Sequence, residues 1–111
     1  MDIIINGIHY EVSEATRKHI TDVLNNVIAE RETFKFTSAR VTISLEHEEY
    51  EVDILLNLKN HDLASKAKER DLYKAIDSAA AKLSSQVHKV TDKIREHRDT
   101  PPARDVAGEE A

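Results

Sequence analysis

Residues 40–60, RVTISLEHEEYEVDILLNLKN, alternate apolar and polar side chains on either side of an acidic break. Val41, Ile43 and Leu45 alternate with Thr42, Ser44 and Glu46. Past the break, Val52, Ile54, Leu56 and Leu58 alternate with mostly polar residues. Period two is the repeat of a strand with one buried face and one wet face. The pattern predicts a β-hairpin turning near His47–Glu49. Its inner face must be covered by something apolar. The break contains neither Asn-Gly nor Asp-Gly, so the turn type stays open.

Two other segments have the stripe that such a cover needs. Ser13 is a candidate N-cap, with Glu14 at the positive end of the helix dipole. Ile20, Leu24, Val27 and Ile28 then form one helical stripe to about Ala29. Leu72, Ile76, Ala79, Leu83, Val87, Val90 and Ile94 form a second, over a helix of about Asp71–His97. DIIINGIHYEV, residues 2–12, reads as a first strand, with Ile8, Tyr10 and Val12 alternating and Gly7 marking a bulge or bend. ERETFKFTSA, residues 30–39, is the expected connection to the hairpin. NHDLASKAKER adds a strand with Leu63, Ser65 and Ala67 on one side. Ala64, Lys66, Lys68 and Arg70 fall on the other. The order β-α-β-β-β-α predicts an α+β fold, a four-stranded sheet with two helices packed on one face. Residues 1–98 are expected to form one domain. Residues 99–111, DTPPARDVAGEEA, are expected to form a mobile acidic tail.

Composition excludes several kinds of chemistry. The 111 residues contain no Cys, so thiolate metal sites and disulfides are ruled out. Only two Gly are present, too few for a Gly-rich phosphate loop. His47 lies among Glu46, Glu48 and Glu49, but neighbours on a strand point to opposite faces, so a surface turn is the expectation. His19, His88 and His97 show no nucleophile or base partner. No catalytic residue, metal or cofactor is expected. No apolar run approaches the ~18 residues of a membrane span, and the N-terminus has no basic lead-in of a signal peptide. A cytoplasmic location is therefore expected.

Charge is distributed unevenly. The formal net charge is −5. Residues 1–58 hold 5 Lys/Arg and 11 Asp/Glu, whereas residues 59–98 hold 10 and 6. A partner meets a face rather than an average, so the second half matters most. On a helical wheel Lys74, Lys82, Lys89 and Lys93 share a sector away from the apolar stripe, with Ser78, Ser85 and Gln86. Arg70 approaches that sector if the helix extends back to it. Lys66 and Lys68 extend it if the strand edge lies alongside. Such a row suits phosphate tracking, although Lys is ordinarily solvated and Asp92 and Glu96 interrupt this face.

DLYKAIDSAAAKLSSQVHK resembles the signature of the ribosome hibernation-promoting factor and protein Y family, through Asp71, Leu72, Tyr73, Ala75, Ile76, Asp77, Lys82, Leu83, Gln86 and Lys89. INGIHYEVSEATRKHI resembles the opening of the same family, through Gly7, Glu11, Val12, Ser13, Glu14, Ala15 and Arg17. The resemblance covers about residues 1–98 and implies the same β-α-β-β-β-α order. It implies binding in the mRNA and tRNA channel of the small ribosomal subunit, inhibition of translation, and preservation of idle ribosomes in stationary phase or stress. No catalysis is implied. Lys82, Lys89 and Lys93 would contact ribosomal RNA, and Arg17 and Lys18 would add to this from the first helix. The chain departs from the family at Ser85, Val90 and Thr91, and at Val23, Asn26 and Ala29, where members carry more basic residues. Lys66, Lys68, Arg70 and Lys74 stand as compensating charges. The resemblance is to the short, tailed type, expected to be a monomer when free.

Two other classes stay open. Double-stranded RNA-binding modules also pack two helices on one face of a small sheet, but Asp71 and Asp77 interrupt the basic cluster expected at their second helix. A protein-interaction module would use the acidic wet face of the hairpin.

Overall fold

The computed structural model describes residues 2–29, 35–58 and 61–99. Six elements follow in the expected order: β1 (Asp2–Ile8), α1 (Glu14–Ala29), β2 (Phe36–Glu46), β3 (Glu49–Leu58), β4 (His61–Glu69) and α2 (Leu72–Asp99). The strands form one sheet in the order β1-β2-β3-β4. β2, β3 and β4 pair antiparallel in sequence, whereas β1 runs parallel to β2. A parallel pair needs a crossover from one end of the sheet to the other, and α1 is that crossover.

The alternation seen in the sequence becomes the core. Ala39, Val41 and Ile43 of β2, Val52, Ile54 and Leu56 of β3, and Leu63 and Ala67 of β4 are buried on one face. Ile20, Leu24 and Val27 of α1 and Ala75, Ile76, Ala79, Ala80, Leu83 and Val87 of α2 close over them in the same cluster. The last turns of the α2 stripe differ from expectation. Thr91 is fully buried, while Val90 and Ile94 are half-buried. Its hydroxyl donates to the Val87 carbonyl at 2.8 Å, so the polar group enters the core already satisfied.

Both helices are capped by side chains. The Thr16 amide donates to Ser13 Oγ at 3.1 Å, as expected for an N-cap. Asp71 is a cap rather than the first helical residue. Its Oδ1 accepts from the amides of Tyr73 and Lys74 at 3.0 and 3.3 Å.

Two boundaries depart from the sequence reading. β1 ends at Ile8 rather than Val12, because His9 takes a left-handed φ of 58° and turns the chain. Tyr10 then packs edge-on against Tyr50, ring centroids 5.5 Å apart. Gly7 allows this turn by close approach: a Cβ there would lie 2.0 Å from the Tyr10 carbonyl oxygen. β2 begins at Phe36, so residues 36–39 are strand rather than connection. The expected tail, residues 99–111, lies outside the described residues apart from the backbone of Asp99.

The hairpin turn is a two-residue one, with His47 and Glu48 at φ 51° and 65°. Positive φ at both centres matches the twist of the flanking strands but strains residues that have a Cβ. Glu48→Gly is expected to raise stability by about 1 kcal/mol in urea unfolding. An unchanged midpoint would show that this turn stores no strain. Gly7→Ala is expected to lower stability by about 2 kcal/mol, since the carbonyl of Tyr10 is backbone and cannot step aside cheaply. Wild-type stability in that variant would refute the close-approach account.

Candidate nucleic-acid interface

α2 lies across β3 and β4, and its lysines follow from that seat. Lys74, Lys82, Lys89 and Lys93 are all exposed. Over their 19-residue separation they span about 28 Å. Among the described residues, Lys74, Lys89 and Lys93 form no ion pair. Ammonium groups without partners keep their charge available for phosphate.

The middle of the row also serves the fold. Lys82 Nζ donates to the Lys66 carbonyl at 2.9 Å, and Gln86 Nε2 donates to the Ala64 carbonyl at 2.6 Å. β4 is the last strand of the sheet, so these two side chains cover carbonyls on its outer edge. Ser65 Oγ adds a bond to the Ala79 carbonyl at 2.8 Å. The flank of α2 bearing Lys82 and Gln86 thus leans on the β4 edge rather than standing opposite the core. Lys89 and Lys93 continue the same flank beyond these tethers.

The remaining basic residues scatter. Arg17 and Lys18 are exposed on α1, and Lys18 pairs with Asp22 at 3.3 Å. Lys68 and Arg70 are exposed where β4 hands over to α2. Lys66 alternates with buried Ala67 and so faces away from the helices. Its ammonium lies 3.2 Å from Glu51 and 4.0 Å from Asp53. The hydrogen bond that the Lys66 ammonium donates to Glu51, helped by the charge of Asp53, holds that ammonium above its ordinary range. So the structure places Lys82, Gln86, Lys89 and Lys93 on one flank with Lys74 at its start. It places Lys66 on the opposite face of the sheet.

Sequence reasoning missed a clasp between the helices. His19 of α1 stacks on Tyr73 of α2, with ring centroids 4.6 Å apart and planes 11° apart. His19 Nε2 also meets Asp77 Oδ1 at 2.9 Å. Tyr73 therefore packs against α1. The two motifs quoted above meet here, which explains Tyr73 and Asp77 as fold residues. Their spacing of four on α2 was the available signal, but nothing in one sequence links it to residue 19.

Asp53 is the other unanticipated feature. Burial pushes its carboxyl above the usual 3.8, only partly countered by Lys66. The folded state then holds the proton more tightly than the unfolded chain. That contribution favours folding below pH 3.8 and is lost as pH rises through the raised folded value. The stability gained by Asp53→Asn relative to wild type should therefore be larger at pH 7 than at pH 3, read by urea unfolding. A difference independent of pH would refute the burial account.

Within this geometry the relatives can be compared. A family model described as "Sigma 54 modulation protein / S30EA ribosomal protein" matches residues 3–95. Proteins called ribosome hibernation promoting factor are similar. That of Pseudomonas putida is 30% identical over 93 residues, covering 84% of this chain and 89% of the relative. That of Escherichia coli K12 is 27% identical over 97 residues, covering 87% and 100%. The solved N-terminal domain of Thermus thermophilus protein Y superposes with a TM-score of 0.75 at 25% identity, over 81% of this chain and 99% of that one. The chain belongs to the sigma 54 modulation protein / S30EA ribosomal protein family.

Proposed function

We propose, with that family membership as the premise, that this chain is a ribosome hibernation factor. It binds the small ribosomal subunit in the channel for mRNA and tRNA, inhibits translation there, and preserves idle ribosomes during stationary phase or stress. The names of the relatives support the ribosome-associated role. One observation carries the RNA contact: a row of exposed lysines along α2 in a chain of net charge −5. An acidic protein that concentrates cations on one flank is built to meet a polyanion on that flank.

The reading involves no catalysis, because occupancy of the channel is enough to block it. It needs no metal, and among the described residues no cluster of three His or carboxylate groups is placed to hold one. Among those residues no helix is long and apolar enough to cross a membrane. A cytoplasmic, monomeric free protein fits the partner.

Lys89 and Lys93 are the contacts that test the site most cleanly, since Lys82 also tethers the β4 edge. Lys74, Arg70, Arg17 and Lys18 extend the positive surface, whereas Lys68 alternates with buried Ala67 and lies with Lys66 on the opposite face of the sheet. Lys66 contributes least, being held by Glu51 on the other face. K89E/K93E is expected to weaken co-sedimentation with small subunits about tenfold or more. Wild-type binding should lose strength with salt, at a log–log slope on the order of −3 for four lysines. Undiminished co-sedimentation of the folded double variant would remove α2 as the RNA-binding flank.

A further inference from the structure

The face of the sheet turned away from the helices has a chemistry of its own. Strand register places Ile4, Arg40, Leu55 and Ala64 in one row across it, and Asn6, Thr42, Asp53 and Lys66 in the next. Ile4, Ile8 and Leu55 are 46%, 48% and 42% exposed, three of the four large apolar side chains left in solvent among the described residues. Arg40, Leu55, Ala64, Asp53 and Lys66 line a hollow of about 340 Å³ on this face. Along the strands, this face carries carboxylates at Asp2, Glu46, Glu49, Glu51, Asp53 and Asp62, against cations at Arg40, Lys66 and Lys68.

We propose that this hollow docks an extended protein segment that carries an arginine two residues from an aliphatic side chain. Three observations select that occupant. First, Asp53 Oδ1 lies in the hollow without a hydrogen-bond partner, and the nearest ammonium, that of Lys66, stands 4.0 Å away. A carboxylate oxygen so placed gains most from a guanidinium, which donates in a plane. Lys66 is the cover over it, and its side chain is exposed enough to swing aside toward Glu51, to which it is already bonded. Second, Leu55 and Asp53 are two residues apart on β3, about 6.7 Å, which is the same-face repeat of an extended chain. An aliphatic side chain on the Ile4–Leu55–Ala64 row therefore brings an arginine two residues on to Asp53. Arg40, in the same row, has donors that suit the main-chain carbonyls of the segment. Third, the surplus of carboxylates repels phosphate, and among the described residues the face has no aromatic side chain on which a base could stack. A basic polypeptide fits where a nucleic acid does not. The docking face and the lysine flank of α2 lie on different sides of the molecule, so both can be occupied at once.

The test is a titration of the isotope-labelled full chain, free of ribosomes, with the peptide acetyl-Leu-Arg-Leu-Arg-Leu-amide, followed by NMR. Saturable shifts are expected at Arg40, Asp53, Leu55 and Ala64. Asp53→Asn and Leu55→Ser, each shown to keep a folded spectrum, should each weaken binding about tenfold. K89E/K93E should leave peptide binding unchanged, which separates this site from the RNA-binding flank. The proposal is overturned by no binding, by shifts confined to α2, or by an equal response to acetyl-Ser-Arg-Ser-Arg-Ser-amide. It is also overturned if raising protein concentration alone shifts the same four residues, which would mark the face as a contact between two copies.

Discussion

The alanines of α2 decide how closely that helix lies on the sheet, and much else depends on the distance. Ala75, Ala79 and Ala80 are buried against the inner face. Small side chains at these positions let the helix backbone approach until Ser65 Oγ reaches the Ala79 carbonyl. Only at that separation can Lys82 and Gln86 reach the carbonyls of Lys66 and Ala64. Larger residues there would lift the helix by overpacking and release the edge. The same close seat brings the first turns of α2 beside α1, where Tyr73 and Asp77 receive His19. Core packing, edge protection and the helix–helix clasp are thus consequences of one short interlayer distance.

Most of the fold was legible because its signals are local. Period two marked the hairpin, and a stripe of period 3.6 marked each helix, since in both cases burial selects side chains at the repeat of the backbone. Ser13 was legible as a cap because its partner is three residues away. Most of the misses depend on contacts distant in sequence, and one on a local backbone turn that side-chain alternation does not reveal. Residues 36–39 hold Thr37, Ser38 and Ala39, a weak local strand signal, yet Ala39 is buried because β1 and β3 flank it. Tyr10 and Val12 continue the alternation of β1 on paper. The left-handed turn at His9 instead swings them toward the helix layer, where both pack against the core. The parallel pairing of β1 with β2 follows from the α1 crossover, which no local pattern encodes.

The candidate site was legible in part for a related reason. Helical geometry put Lys82, Gln86, Lys89 and Lys93 on one flank, and the structure keeps them together. The orientation of that flank was not legible, because the wheel is referred to the helix axis and not to the sheet beneath it. Lys66 shows the same limit. Its position in β4 beside the helix is evident from the chain order, but strand parity turns its side chain to the far face. There it meets Glu51 and Asp53, residues of another strand.

The two edges of the sheet are treated differently, and the difference bears on what Lys82 is for. At β4, an unpaired row of carbonyls would invite another strand, and two side chains of α2 bond to it. At β1, the other end of the sheet, the sequence DIIINGI offers neither Lys nor Pro. An amide at residue 82 would serve the β4 carbonyl as well as an amine does, as Gln86 demonstrates one turn later. Edge protection alone therefore does not require positive charge there. The ammonium of Lys82 uses one of its three donors on Lys66 and keeps two, together with its full charge, pointing outward. Anchoring the stem of a lysine in this way also reduces the side-chain entropy that a phosphate contact would otherwise have to overcome. A tethered cation followed by Lys89 and Lys93 on the same flank is a preorganised start to a charged row, and the edge bond is part of that preorganisation.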